Sequence, residues 1–303
     1  MSIHRTAIIH PSAVIEESVE IGPYVVIGQG VTIGAGTKIG AQATLEGPDL
    51  TIGQENQIGP HAYLLSHTTL GDRNKIYPFS AIGCEPQDLK FKGEKSQLEI
   101  GHENIIRESV TINRGTSSGG GITRLGNRNM LMAYVHVAHD CLIGHETVIA
   151  NSVALAGHVE VQDGAVIGGL VGIRQFCRIG KYAYVGGCTG TNKDIPPYMI
   201  ASGPAYRMYV SGVNSIGLQR RGFDPSMVRD LKNVCKILYF TDLSLQEALL
   251  KIKNEFSHAP HVLELVTFIE NSKTGIVGAG KEEDGEESKR RGYRGRISRQ
   301  LSC

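Results

Sequence analysis

An aliphatic residue returns at every sixth position from Ile3 through Ile9, Ile15, Ile21, Ile27, Ile33 and Ile39 to Leu45. A strict six-residue period of this kind specifies a parallel β-helix. Small or β-branched companions keep the same beat two places earlier, at Ala7, Ala13, Val19, Val25, Val31, Thr37 and Ala43. Two inward positions per hexad fill one core. The register resumes at Ile52, runs to Ile82, returns at Ile100, Ile106 and Ile112, and continues from Leu125 to Thr191. It slips three times. One residue is added between Leu45 and Ile52, and the segments Cys84 to Leu98 and Asn113 to Arg124 are ejected. Both ejected segments are rich in Gly and polar residues, as protruding loops are, and on a rigid wall the loops carry recognition.

The pattern resembles the hexapeptide-repeat proteins. That resemblance implies three hexads per triangular coil, about ten coils in all, and a left-handed winding, which the repeat itself does not reveal. After Thr191 the sequence Asp194-Ile195-Pro196-Pro197 ends the coil, because proline cannot donate to a continuing ladder. Helical spacing follows from Asp224-Pro225 through Met227, Val228, Leu231, Val234, Cys235 and Leu238. Ser244 with Glu247 forms a capping box that opens a second helix, and a third runs from about His261 to Ile269. The expected division is therefore a left-handed parallel β-helix over 1–197, a small α-helical domain over 198–277 and a disordered tail over 278–303. The tail carries Lys281-Glu282-Glu283-Asp284 and Lys289-Arg290-Arg291 with almost no aliphatics. The fold class is thus all-β with a small α domain.

A net charge of +1 over 303 residues gives neither a nucleic-acid nor a membrane footprint. No stretch approaches the roughly 18 apolar residues of a spanning helix, and the N-terminus lacks a basic region followed by an apolar one. A cytoplasmic protein is expected. Cys84, Cys141, Cys177, Cys188, Cys235 and Cys303 contain no C-x-x-C pair and read as packed thiols, not disulfides.

The chemistry is concentrated in Ala133-Tyr134-Val135-His136-Val137-Ala138-His139-Asp140-Cys141. In an 18-residue coil His158 stacks beside Asp140, Gly157 beside His139, and Gln175 one coil further along. A histidine can take a hydroxyl proton near neutral pH, and an adjacent carboxylate fixes its tautomer, so a general base with its orienter is expected. Neighbouring residues on a straight strand face opposite ways. His139 and Asp140 can therefore pair only at a coil corner; otherwise Asp140 pairs with His158. Without a nucleophilic Ser or Cys, direct attack by a substrate hydroxyl is expected, with no covalent enzyme intermediate.

A closer resemblance rests on His136-Val137-Ala138-His139-Asp140-Cys141, Leu155-Ala156-Gly157-His158-Val159, Gln175-Phe176-Cys177, Gln87-Asp88-Leu89-Lys90 and Gly217-Leu218-Gln219-Arg220-Arg221-Gly222-Phe223. Over residues 1 to about 277 the chain resembles the UDP-N-acetylglucosamine O-acyltransferases that begin lipid A synthesis. The resemblance implies transfer of an (R)-3-hydroxyacyl group from acyl carrier protein to the sugar 3-hydroxyl. It also implies a homotrimer with sites between subunits, no cofactor beyond the donor's phosphopantetheine, no metal and no membrane insertion. It casts His139 as general base, Asp140 as its carboxylate and the Gly157 N–H as receiver of the oxyanion. Asp88, Lys90, His136, His158 and Gln175 become substrate contacts, Asn214, Arg220 and Arg221 groups near the phosphates, and Gly187 the acyl-chain ruler that leaves room for a chain near hydroxymyristoyl. Asn113 and Arg174 depart from family histidines, which bears on fine selectivity. An amine-acylating relative would carry an extra N-terminal domain, a prism-shaped carbonic anhydrase would need three converging histidines, and a bare scaffold would not explain the His-Asp-His edge.

Overall fold

The computed structural model describes residues 2–204 and 207–278. Each hexad contributes one short strand, and residues one coil apart pair in parallel, as in Ser2 with Glu20, His136 with Ala154 and Gly172 with Gly190. Among the described residues three sheets of twelve, ten and nine strands form the walls of a left-handed parallel β-helix. We call the wall that begins with Ser2–Ile3 the first, that with Ile8–Ile9 the second and that with Val14–Ile15 the third. The hexad aliphatics from Ile21 to Val185 are buried, while Ile3 on the first coil remains 41% exposed because no coil lies beneath it.

The wall turns through a corner every six residues, and the last corner residue commonly has positive φ, as at Tyr134, Glu146, Ser152 and Leu170. At the third corner, between third and first walls, the inward companion position is polar. Asn56, Asn74, Asn104 and Asn129 are fully or almost fully buried there and form a ladder. Each side-chain oxygen accepts the next backbone N–H in the row, at 2.8 to 2.9 Å, with Thr147 completing it. Each Nδ2 donates to a glycine carbonyl of the next coil. Every polar group in the row is thereby satisfied without water.

The ejected segments are shorter than expected. Cys84 remains in the strand Ala81–Cys84 and Leu98 joins Gln97–Ile100, while Asn113 ends Thr111–Asn113 and Arg124 lies in Ile122–Leu125. Residues 85–96 and 114–121 are what leaves the wall. Nor do Pro196 and Pro197 end the coil. Ile195 bridges Ile179, and the strand Met199–Ser202 pairs in parallel with Tyr184–Val185, adding Ile195 and Ala201 to the core. The prolines sit at the corner, where no ladder bond is required of them. The strand Tyr209–Val213 then pairs antiparallel with Met199–Ser202 and leads the chain off the prism.

Four helices follow: α1 Ser215–Arg220, α2 Pro225–Tyr239, α3 Leu245–Glu255 and α4 Pro260–Glu270. The short α1 was not anticipated. Asp224 caps α2, and the capping box of Ser244 and Glu247 opens α3. Beyond Gly278 the expected tail lies outside the described residues, as does Cys303. Of the other cysteines, Cys141, Cys177 and Cys235 are packed, Cys84 is half-buried and Cys188 is exposed; all five are free thiols.

The segment after α4 is fastened to the prism through Asp194, a buried carboxylate. It accepts from the backbone N and Nε of Arg178 and from the hydroxyls of Ser272 and Thr274, all at 2.7 to 2.9 Å. Arg178 also donates to the Phe268 carbonyl and lies over the Phe268 ring. Removing the carboxylate strands a largely buried guanidinium, so Asp194→Ala is expected to cost about 3 kcal/mol or more. Denaturant unfolding measures this, and an unchanged midpoint would show that the latch contributes nothing.

Candidate active site

The strand His136–Val137 belongs to the second wall and Leu142–Ile143 to the third, so His139 and Asp140 lie at the second corner. Asp140 has φ of 59°, and this left-handed bend lets two consecutive side chains meet. His139 Nδ1 lies 2.8 Å from Asp140 Oδ2. A carboxylate can only accept, so Nδ1 carries a proton, and in the neutral ring it is Nε2 that has the lone pair. Of the two pairings open from the sequence, the structure forms the first: His158 Nε2 stands 3.8 Å from the same oxygen, beyond hydrogen-bond range.

The carboxylate is enclosed. The backbone N–H of Thr116 donates to Oδ1 at 2.8 Å, and the Thr116 hydroxyl donates to Oδ2 at 2.6 Å. The backbone N–H of Asp140 donates to Thr123 Oγ1 at 2.8 Å. Gly119 passes so close that a Cβ there would meet the carboxyl carbon at 2.1 Å, so only glycine fits. Thr116, Ser117 and Gly119 all belong to the segment 114–121. Neither Thr116 nor Thr123 was singled out from sequence: the hexad period is silent inside the insertion that holds Thr116, and Thr123 stands at the inward position two places before Leu125, where it reads as core.

On the next coil Gly157 packs against the His139 ring, where a Cβ would approach Cε1 to 2.5 Å. Among the described residues its N–H has no acceptor. His158 stacks on Phe176, with centroids 4.4 Å apart, and meets His139 edge-on at 5.2 Å. Burial lowers the His158 pKa, with the Asp140 charge opposing and Asp88 adding in the same upward sense. His136, on the preceding strand, has Nδ1 2.7 Å from Thr111 Oγ1, and burial, then the His139 charge, lowers its pKa. Both rings are thus biased toward the neutral form. The Cys141 thiol, directly after the dyad, points into the core and is pushed up to about 12 by burial, so it holds no thiolate.

All three register breaks leave the wall at this same second corner. Asp88 lies on the 85–96 loop, half-buried, and its Oδ1 accepts the Lys90 N–H. Lys90, Arg174 and Gln175 are exposed, the last two on the same corner two coils beyond His139. Asn113 is buried and donates to the Glu85 carbonyl at 2.6 Å, which fixes where the first loop leaves.

The remaining expected groups lie elsewhere on the chain. Gly187 is at the first corner, between Tyr184–Val185 and Gly190–Thr191. Asn214 caps α1, accepting from Gly217 N and donating to the Tyr182 carbonyl at the third corner. Arg221 is held there too, by Glu146 at 3.2 Å and over the Tyr182 ring. Arg220 is exposed. A single chain therefore does not bring Asn214, Arg220, Arg221 or Gly187 to the His139 corner. Of metal-ligating groups, His139, Asp140 and His158 place their donor atoms within 4.8 Å of one another, but Asp140 Oδ2 already serves His139 and Thr116.

Comparison with known proteins agrees with this architecture. Residues 12–47 match the bacterial transferase hexapeptide model of six repeats, and residues 194–277 match domain 2 of the UDP-N-acetylglucosamine O-acyltransferases. An acyl-[acyl-carrier-protein]–UDP-N-acetylglucosamine O-acyltransferase of Herminiimonas arsenicoxydans is 46% identical over 211 residues, which cover 68% of this chain and 80% of the relative. The UDP-N-acetylglucosamine acyltransferase of Bacteroides fragilis superposes with a TM-score of 0.76 at 42% identity, over 91% of this chain and 99% of that one. The Arabidopsis UDP-N-acetylglucosamine acyltransferase gives 0.80 at 32% identity over 91% and 99%. A parallel β-helix with this helical appendage and this degree of shared sequence makes the chain an acyltransferase belonging to the UDP-N-acetylglucosamine O-acyltransferase family.

Proposed function

We propose that the chain transfers an (R)-3-hydroxyacyl group from acyl carrier protein to the 3-hydroxyl of UDP-N-acetylglucosamine, the first step of lipid A synthesis. The observation that carries the mechanism is the His139–Asp140 pair at 2.8 Å beside the unpartnered N–H of Gly157. His139 Nε2 takes the proton of the sugar hydroxyl, whose oxygen attacks the thioester carbonyl. The oxyanion so formed is received by the Gly157 N–H, a donor already fixed by the wall. Collapse breaks the C–S bond, and the phosphopantetheine thiolate leaves with the proton held on His139. Asp140 fixes the tautomer and stabilises the imidazolium. No acyl-enzyme forms on this path, in keeping with the inward, protonated Cys141.

Asp88, Lys90, His136, His158 and Gln175 bind substrate around the second corner in this reading. Asn214, Arg220 and Arg221 approach the nucleotide phosphates, and Gly187, as the acyl-chain ruler, leaves the acyl groove open to a long chain. Because these last four lie on the other two corners, the reading requires a second chain at each site. A homotrimer supplies one, with the second corner of one prism facing another corner of its neighbour. Arg221 enters that role already paired with Glu146, so Arg220 is the freer phosphate ligand of the two. The donor arrives on acyl carrier protein, and no cofactor or metal of the enzyme's own takes part. Cytoplasmic location belongs to the same reading; among the described residues no helix is long and apolar enough to cross a membrane.

Three outcomes are expected. His139→Ala lowers kcat for hydroxymyristoyl transfer by roughly 10²- to 10⁴-fold, measured with radiolabelled donor; retention of wild-type turnover would remove His139 as base. Gly187→Met shifts preference from long to shorter hydroxyacyl donors in a chain-length series, whereas an unchanged optimum would leave Gly187 a mere corner. Dialysis against a strong chelator leaves turnover intact. Loss of activity restored by zinc would instead assign His139, Asp140 and His158 to a metal.

A further inference from the structure

We infer that Thr116 is a positioning residue that assigns Asp140 to His139 and withholds it from His158. The inference rests on the reading of His139 as base. Asp140 has two imidazole suitors, His139 at 2.8 Å and His158 at 3.8 Å from the same Oδ2. Rotation about the Cβ–Cγ bond of the aspartate alone would redistribute its oxygens between them, and an aspartate carboxyl turns easily about that bond. Two donors from one residue oppose this rotation. The Thr116 N–H holds Oδ1 at 2.8 Å and its hydroxyl holds Oδ2 at 2.6 Å, so the carboxylate plane is set by a bidentate grip.

The hydroxyl is itself oriented. It accepts the Gly119 N–H at 3.2 Å, which leaves its own proton for Asp140. Thr116 is buried, and the Gly119 backbone closes over the carboxyl. Ser117, the next residue, donates through its hydroxyl to Glu94 at 3.0 Å, which braces the segment against the neighbouring loop. The segment 114–121 thus clamps the dyad carboxylate through Thr116 and Gly119. A charge-assisted hydrogen bond from a hydroxyl to a carboxylate is short and strong, as observed.

Without the hydroxyl, Oδ2 is shared with His158. His139 then loses part of the contact that stabilises its imidazolium, and His158 gains what His139 loses. The test compares the full-length protein with Thr116→Val, which keeps shape and backbone N–H, and with Thr116→Ser, which keeps the hydroxyl. Thr116→Ala stands in should the valine variant fail to fold. We expect the valine variant to lose roughly 10- to 100-fold in kcat with KM within about twofold, since a misplaced catalytic group costs turnover more than binding. Thr116→Ser should remain within about threefold of the parent. Nitrogen-15 imidazole titrations should move in opposite directions, His139 downward and His158 upward, each by about half a unit. The acid limb of kcat should follow His139 to lower pH.

A valine variant with kcat within twofold and both titrations unmoved would overturn the inference. So would a serine variant as impaired as valine, because loop packing and not the hydroxyl would then be responsible. His139→Ala, run on the same donor, separates the two readings. If it stays active, the base assignment fails; if it is inactive while Thr116→Val is normal, only the role of Thr116 fails.

Discussion

The bend at each coil corner is the constraint on which the rest of this structure depends. Six residues per side leave only a short turn between strands, and its last residue commonly adopts positive φ: 57° at Glu146, 59° at Asp140, 62° at His158 and 66° at Phe176. For a residue with a Cβ this conformation costs roughly 1 to 2 kcal/mol. The cost recurs at many corners and is offset locally, because the strained residue donates its N–H to the coil before. His158 reaches the His139 carbonyl at 3.0 Å, Leu170 that of Asn151 at 2.9 Å and Tyr182 that of Asp163 at 2.9 Å. Each corner is therefore tied to its predecessor, and residues 18 apart stack in straight rows.

That bend is also what makes the dyad possible. On a strand His139 and Asp140 would face opposite sides of the wall; at the corner one ring and one carboxyl converge without any long side chain having to find its partner. The next coil then contributes Gly157 and His158 at fixed offsets, and the absence of a side chain at Gly157 leaves the space that the His139 ring fills. All insertions emerge from this corner, so the floor of the site is wall and its cover is loop. The third corner carries the opposite design. Its buried asparagines turn the interior row into a continuous hydrogen-bonded column that fixes coil register.

The hexad period made the walls, their core and the stacking of His158 on Asp140 legible from the chain alone, because the second residue of each two-residue strand faces a narrow interior that leaves little choice of side chain. Asn56, Asn74, Asn104 and Asn129 sit at core companion positions, yet their ladder was not legible in a search for aliphatics. Pro196 and Pro197 misled for a related reason. Proline forbids a ladder bond, but a corner needs none, and Ile195 and Ala201 carry the register past them. The helix α1 has too few residues to show a period. Thr116 could not be found by spacing at all; it reaches Asp140 from 24 residues away through an irregular segment. A threonine followed by Ser-Ser-Gly-Gly-Gly in an insertion one coil before a His-Asp pair was the available signal.

The two loops over the second corner do not act separately. Glu94, on the loop that carries Asp88 and Lys90, accepts from the Lys92 N–H at 2.8 Å and from the Ser117 hydroxyl at 3.0 Å. These bonds, the Lys92 N–H foremost, bring its pKa down to about 2. Linkage then has a definite sign: a carboxyl whose folded pKa is depressed gives its support above the unfolded value and loses it only as pH falls toward the folded one. The brace consequently stays charged down to pH values near that folded value. Ser117 adjoins Thr116, so the loop bearing Asp88 and Lys90 is joined through two consecutive residues to the carboxylate of the dyad. Positioning of the loop that carries Asp88 and Lys90 and orientation of the His139–Asp140 pair are for this reason one mechanical problem, solved in one stretch of chain from Asn113 to Thr123.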